Sequence, residues 1–143
     1  MHQAEQELLL TATPEDIEAI TEASRDYVEG WYNAQTERMA RCLHPDLVKR
    51  TIAREPGDGT WQLRRPSNAQ MMVQYTEEGG GSEVPETERT YEITILDVFR
   101  HIASVKVLSH GYMDYLQLAK FDHGWLLVNV LWELREGEMT MDS

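Results

Sequence analysis

The chain has 143 residues, a hydrophobic fraction of 41% and a formal net charge of −12 at pH 7. This length fits one domain with one core, and the apolar content argues against disorder. The negative charge would repel nucleic acids and anionic membrane surfaces, and no apolar run approaches the roughly 20 residues of a membrane span. We therefore expect a cytoplasmic globular protein that binds neither nucleic acid nor membrane.

Cysteine usage and the absence of familiar motifs narrow the class further. The single cysteine, Cys42, cannot form an intramolecular disulfide, and no histidine pair has the spacing of a zinc site. The sequence contains no G-x-S-x-G, G-x-G-x-x-G, Walker or H-E-x-x-H motif. We therefore expect no metal and no cofactor. The sequence therefore lacks the motifs that usually identify serine hydrolases, dinucleotide enzymes, nucleotide triphosphatases and zincins.

A long helix is predicted from Thr13 onward. Thr13 suits the N-cap, Pro14 suits the first helical position, and the acidic residues that follow suit the positive end of the helix dipole. An apolar stripe continues the helix to about Asn33. Tyr27 and Trp31 lie four residues apart and therefore project from one face, which we expect to pack against a sheet.

A second, short helix is predicted to begin at a Thr36 cap and to end before Pro45, because the residue before a proline avoids the α region. Strands are predicted at Leu47 to Ala53 and, briefly, at Trp61 to Leu63. The stretch from Arg38 to Arg65 holds seven basic residues against three acidic ones. Such a basic stretch favours an anionic ligand or a self-complementary partner, or it is simply a solvated face.

Ser67 and Gln70 match a capping box that opens a third helix, which carries Met72 and Tyr75 and ends at the glycines 79–81. Met72 and Tyr75 lie one turn apart. They could therefore cover the mouth of a cavity, or they could fill it.

The remaining residues predict a sheet. Strands are expected at Thr90 to Phe99 and at Ile102 to Ser109, followed by a hairpin from Tyr112 to Leu134 around the turn Asp122-His123-Gly124, whose glycine allows a positive φ. Helices segregated on one side of an antiparallel sheet make an α+β fold. We expect one domain over residues 13–135, with an N-terminal arm at 1–12 and a C-terminal tail at 136–143.

Three segments carry a resemblance to a known superfamily: Leu43-His44-Pro45-Asp46, the strand from Asp114 to Lys120, and the closing Trp125-Leu126-Leu127-Val128-Asn129. With the element order, they resemble the nuclear transport factor 2-like superfamily over about residues 14–134. Within it, the chain is most similar to a small bacterial lumazine-binding-like and polyketide-cyclase-like group. The family's usual turn reads Asp-Gly-x-Trp, whereas here glycine falls one place later, at Gly124.

The resemblance implies a cone, in which a strongly curved sheet wraps around the long first helix and leaves a cavity between them. It also implies a homodimer through the outer face of the sheet. It implies no single activity, because relatives include isomerases, dehydratases, epoxide hydrolases and cyclases as well as non-catalytic domains.

Asp114 is the main candidate for an acid/base role, because it lies in an otherwise apolar and aromatic strand. With a two-residue hairpin turn it pairs with Glu133, and with a bulged turn it lies near Trp132. Either a second carboxylate or a desolvating aromatic neighbour would raise its pKa. The alternative is that Asp114 is solvated near the strand end or caps a backbone donor. His44 is a second acid/base candidate, or a structural cap at the end of the second helix.

Large apolar and aromatic residues predict a pocket between the first helix and the sheet, although each could equally be a core residue. The expected pocket residues are Tyr27, Trp31, Trp61, Met72, Tyr75, Tyr115 and Trp132. Such a pocket suits a flat hydrophobic ligand. The leading hypothesis is a small-molecule-binding domain. The alternatives are a cofactor-independent isomerase, dehydratase or cyclase that uses Asp114 or His44, and a dimerisation or scaffold module whose pocket is filled.

Overall fold

A computed structural model describes residues 12–137, which form three α-helices and six strands. In chain order these are α1 (Pro14–Tyr32), α2 (Thr36–Cys42), β1 (Leu43–Arg54), β2 (Trp61–Ser67), α3 (Ala69–Glu77), a 3₁₀ turn (Glu86–Glu88), β3 (Tyr91–Phe99), β4 (Ile102–Ser109), β5 (Tyr112–Phe121) and β6 (Gly124–Leu134). None of the helices in this part of the chain has the length and apolarity needed to cross a bilayer.

The six strands form one curved, unclosed sheet in the order β2-β1-β6-β5-β4-β3. All neighbours are antiparallel except β1 and β6, which pair in parallel. Helix α1 packs against one face of this sheet through β3, β4 and β6. The predicted α+β fold is confirmed.

Helix α1 begins and ends close to where its sequence predicts. The Thr13 hydroxyl oxygen accepts a hydrogen bond from the Asp16 amide at 3.0 Å, and Pro14 is the first helical residue. The helix ends at Tyr32, as predicted to within one residue. Its buried face, including Ile20 and Tyr27, is the face that meets the sheet.

The caps of the shorter helices differ from their predicted positions. Thr36 is the first residue of α2 and Gln35 takes the N-cap place without a side-chain hydrogen bond. Asn68 caps α3 by accepting the Met71 amide at 2.8 Å, while Ser67 still belongs to β2. Asparagine is as good an N-cap as serine, and strand pairing with Lys49 holds Ser67 in the sheet.

The core lies between the helices and the inner face of the sheet. Side chains at alternate positions of the central strands are fully buried there, together with residues of α1, α2 and β1. Its most deeply buried members are Ile20, Met39, Leu47, Val105, Val107, Leu116, Leu118 and Leu127. Ala12, which the sequence assigned to a terminal arm, is also buried. The rest of that arm and most of the predicted tail lie outside the described residues.

The hairpin of β5 and β6 has a two-residue turn and a separate bulge. Phe121 pairs with Gly124, whose φ of 131° is accessible to glycine. Further along, Gln117 pairs with Asn129 while its neighbour Leu118 pairs with Leu127, so that one residue of β6 is extra.

The bulge decides which β6 residues face inward. Before it, Trp125 and Leu127 are buried on the inner face; after it, the inner positions are Val130 and Trp132. Asp114 therefore pairs with Trp132 and not with Glu133. This is the partner predicted for a bulged turn, although the turn itself has two residues and the bulge lies within β6.

Candidate functional site

A cavity of about 410 Å³ lies between α1, α3 and the inner face of the sheet. Its size falls within the usual range of small-molecule sites. Residues of α1, α3 and five of the six strands line it. Tyr75 and Tyr112 belong to the lining and are each 39% exposed, so the cavity reaches the protein surface beside them.

Most of the predicted pocket residues lie around this cavity. Those that line it are Tyr27, Trp31, Met72, Tyr75 and Trp132, and Asp114 lines it too. Tyr112, which was not predicted, packs edge-on against Trp132 with ring centroids 5.4 Å apart. The aromatic wall is therefore built from α1, β5 and β6 together.

Two predicted pocket residues lie elsewhere. Tyr115 follows Asp114 in β5, so its side chain points to the opposite, outer face of the sheet, where it is 49% exposed. Trp61 is at the start of β2 and is 46% exposed, with the Arg54 guanidinium 5.0 Å from its ring centroid. The prediction that these two side chains line the pocket is corrected accordingly.

His44 is also separate from the cavity. It lies in β1, two residues beyond the end of α2, and its ring stacks on that of Phe121 at 4.8 Å. Its Nδ1 accepts a hydrogen bond from the Asp46 amide at 3.0 Å. These contacts fix the start of β1 and do not place the imidazole beside the cavity lining.

Lys49 is a charged cavity residue that the sequence analysis did not place in the pocket. It follows Leu47 and precedes Thr51 on the inward-facing side of β1, so the period-two pattern of the strand was the signal that could have found it. Its Nζ donates a hydrogen bond to the Tyr27 hydroxyl oxygen at 2.6 Å. The same ammonium lies 5.2, 5.7 and 5.9 Å from the ring centroids of Tyr27, Trp31 and Trp132.

The surroundings of Lys49 act on its charge in opposite directions. Burial lowers the pKa of Lys49, and the negative charge of Asp114 opposes this. Aromatic faces attract a cation, which further favours the ammonium form. The Lys49 Nζ thus lies among three aromatic rings.

Burial also shifts the pKa values of Asp114 and Tyr27. Desolvation raises the pKa of Asp114, and the positive charge of Lys49 opposes that rise. Within residues 12–137 no group donates a hydrogen bond to the Asp114 carboxylate and no cation lies within 4.0 Å of it. Desolvation, with a contribution from the Asp114 charge, raises the pKa of Tyr27 well above 10.0, so this phenol keeps its proton at neutral pH.

A bulge in β2 brings a second cation to the cavity. Lys49 pairs with Ser67 and Thr51 pairs with Arg64, so Arg65 and Pro66 together oppose a single residue of β1. Arg65 has a φ of 54°, in the left-handed region, and lines the cavity with Pro66 and Ser67. The lining therefore contains two basic side chains and one carboxylate.

A long helix packed on a curved, unclosed six-stranded sheet, with a cavity between them, defines the nuclear transport factor 2-like (NTF2-like) class of α+β protein. The chain belongs to the NTF2-like family described as "Putative lumazine-binding", whose profile matches residues 15–133. No curated protein matches the sequence.

Solved structures share this fold at low sequence identity. An NTF2-like protein of unknown function from Silicibacter pomeroyi is 17% identical, with a TM-score of 0.65 over 87% of this chain and 99% of its own. One from Methylobacillus flagellatus is 22% identical, with a TM-score of 0.64 over 87% and 96%. A ketosteroid isomerase-like protein from Erwinia carotovora atroseptica is 13% identical, with a TM-score of 0.53 over 87% and 99%.

Proposed function

We propose that this chain binds a small, flat, largely apolar molecule in the cavity between α1 and the sheet. The observation that carries the proposal is a cavity of about 410 Å³ with aromatic walls and a few inward polar groups, which is the usual composition of a small-molecule site. The description of the family as lumazine-binding agrees with a flat ligand. A scaffold module with a filled pocket receives no support from a cavity of this size.

Blocking the cavity should abolish binding of a flat probe. Ser67 lines the cavity at the end of β2, and a Ser67→Trp side chain would occupy space that the ligand needs. We expect naphthalene-2-carboxamide to bind the wild-type protein saturably in calorimetric titration, and Ser67→Trp to weaken this binding by about tenfold or more, or roughly 1.4 kcal/mol.

Gln74→Trp provides the matched control, because Gln74 is an exposed residue of α3 outside the cavity lining. It should bind the probe as the wild-type protein does. If Ser67→Trp also binds like the wild-type protein, or if the wild-type protein binds no flat aromatic probe, the proposal is wrong.

We also propose that two copies associate through the outer face of the sheet. Four apolar side chains of this face are each nearly half exposed, namely Leu63 (49%), Leu96 (47%), Tyr115 (49%) and Leu131 (49%). Clusters of exposed apolar residues commonly mark association sites. Native mass spectrometry of the purified protein should give twice the 16.5 kDa chain mass, and it would also reveal a co-purified ligand. A monomer at micromolar concentration would contradict the dimer.

A second candidate function is cofactor-independent proton transfer by Asp114. A carboxyl whose pKa is raised by burial, inside an apolar cavity and beside the Tyr27 hydroxyl and the Lys49 ammonium, has the components of an enolising site. Asp114 would take a proton from the carbon next to a ketone, and the other two groups would stabilise the enolate oxygen.

The proton-transfer candidate is tested with 2-tetralone, a flat ketone with acidic α-protons. We expect the wild-type protein to accelerate exchange of these protons in D₂O, followed by NMR, and Asp114→Asn to lose about 100-fold or more of this acceleration while still binding the ketone. Equal exchange rates for the two proteins, or no acceleration above buffer, would remove Asp114 from this role.

A further inference from the structure

The polar end of the cavity contains hydrogen-bond donors that are not fully used. The Lys49 ammonium has three N–H groups, and within residues 12–137 its one hydrogen bond goes to the Tyr27 hydroxyl at 2.6 Å. Tyr27 accepts that bond and still has its own proton to donate, since its pKa lies well above 10.0 through burial. Two hydrogen-bond donors, the Lys49 ammonium and the Tyr27 hydroxyl, therefore adjoin one another at the cavity wall.

No carboxylate of residues 12–137 neutralises Lys49 by direct contact. The charge of Asp114 influences it, and the two groups are more than 4.0 Å apart. A partly buried cation without a contacting anion is unfavourable unless a ligand supplies one. Three aromatic rings surround the ammonium, and rings offset only part of the loss of hydration.

Arg65 adds a second positive charge on the same cavity. It lines the space from the β2 bulge, and no carboxylate of the described residues lies within 4.0 Å of its guanidinium. The protein as a whole has a formal net charge of −12, so a cavity with two cations and one acid differs in sign from the rest of the surface. Such a difference favours an anion over a neutral molecule at this site.

We propose that the ligand of this cavity is a flat aromatic acid, whose anionic group accepts hydrogen bonds from Lys49 and Tyr27 while its rings pack against Trp31 and Trp132. This proposal rests on the proposed ligand-binding function and specifies the chemical class of the ligand. Charge-assisted hydrogen bonds from an ammonium are roughly twice as strong as neutral ones, so the anionic group would contribute much of the selectivity.

The test compares an acid with its neutral isostere. Naphthalene-2-carboxylate and naphthalene-2-carboxamide have the same shape and differ in charge. In calorimetric titrations at pH 7.5 we expect the wild-type protein to bind the acid about tenfold or more tightly than the amide, a difference of roughly 1.4 kcal/mol. Lys49→Met should remove this preference, so that the acid and the amide bind with similar affinity.

Two further variants keep the test independent of how Lys49→Met folds. Lys106→Met is the matched control, because Lys106 lies on the outward-facing side of β4 and outside the cavity lining, and it should keep the full preference. Tyr27→Phe removes only the hydroxyl, so it should reduce the preference by about threefold to tenfold through the loss of one hydrogen bond.

Replacing Asp114 should change the preference for the acid in the opposite direction to replacing Lys49 or Tyr27. Its carboxylate opposes an anion in the same cavity, so Asp114→Asn should increase the ratio of acid affinity to amide affinity above that of the wild-type protein. The groups that contribute charge or protons to this space are Lys49, Arg65, Asp114, Tyr27, Tyr75 and Tyr112. Asp114 is the one carboxylic acid among them, and Asp114→Asn replaces it with a neutral amide of nearly the same shape.

The outcomes separate this proposal from the one on which it rests. If the acid and the amide bind equally well, or if Lys49→Met and Tyr27→Phe both retain the preference for the acid, the aromatic-acid proposal is overturned and the cavity remains a binding site for neutral molecules. If neither probe binds the wild-type protein, the proposed ligand-binding function fails as well.

Discussion

Replacing Asp26 with alanine should lower the free energy of unfolding by about 3 kcal/mol, because it removes a buried carboxylate that holds two guanidinium groups. Asp26 is 5% exposed. It accepts hydrogen bonds from Arg38 Nε at 2.9 Å and from Arg41 Nε and Nη2, both at 2.8 Å. These contacts join α1 to α2, and α2 leads directly into β1, which carries Lys49.

The contribution of Asp26 should depend on pH. Burial alone would raise the pKa of Asp26, but the hydrogen bonds and charges of Arg41 and Arg38 outweigh burial and lower it below 3.8. A carboxyl whose folded-state pKa is depressed stabilises the fold above its unfolded-state pKa, and this stabilisation is lost as pH falls through the folded-state pKa. The stability difference between the wild-type protein and Asp26→Ala should therefore be largest near neutral pH and should shrink below about pH 4.

Urea unfolding at pH 7 and pH 3 measures both effects. Glu22→Ala is the matched control, because Glu22 forms a solvent-exposed ion pair with Arg25 on the same helix at 2.6 Å. Its removal should change the free energy of unfolding by less than about 1 kcal/mol. An Asp26→Ala effect as small as that of Glu22→Ala, or one that grows at low pH, would contradict the role assigned to the buried carboxylate.

Replacing Gly80 with alanine should also lower the free energy of unfolding by about 3 kcal/mol. Gly80 has a φ of 50°, and a Cβ there would lie 2.5 Å from the Trp31 carbonyl oxygen. That oxygen already accepts the Gly81 amide at 2.8 Å, so the loop after α3 is fixed against the end of α1. Either the loop or the α1 backbone must move to admit a methyl group. Because Trp31 lines the cavity, ligand binding should weaken too.

Gly57→Ala is the control for Gly80→Ala. A Cβ at Gly57 would meet no atom within 4 Å, and its φ lies outside the left-handed region. We expect the control to stay within about 0.5 kcal/mol of the wild-type protein or to be slightly more stable, since alanine restricts the unfolded chain. Thermal unfolding of both variants checks the pair. Equal unfolding midpoints for Gly80→Ala and Gly57→Ala would contradict the close packing of Gly80 against the Trp31 carbonyl oxygen.

The sequence predicted those elements whose signals are local. Thr13 and Pro14 start α1, and the apolar pattern with a turn glycine at Gly124 predicts the closing hairpin, because caps, periodicity and turn conformations depend on neighbouring residues. The hairpin register could not be predicted in the same way. It depends on a bulge in β6 and so on packing across the sheet, and this bulge places Trp132 opposite Asp114.

The candidate site was predicted only in part, for two different reasons. Alternation along a strand is local information, and applied strictly it would have included Lys49 and excluded Tyr115. The position of Arg65 at the cavity depends instead on a bulge in β2, which no sequence pattern predicts. A lysine and a tyrosine separated by 22 positions in the chain meet at 2.6 Å only because the curved sheet brings the Lys49 side chain of β1 to the Tyr27 side chain of α1.

The most direct test of the central claim, that the cavity binds a flat aromatic ligand, is a titration followed by methionine methyl NMR. Met71 and Met72 line the cavity, whereas Met39 lies in the core and Met113 lies on the outward-facing side of β5. With methyl-labelled methionine, naphthalene-2-carboxylate should shift the Met71 and Met72 signals saturably through its ring current and leave Met39 and Met113 in place. Unchanged Met71 and Met72 signals at millimolar ligand, or shifts confined to Met113, would contradict the claim.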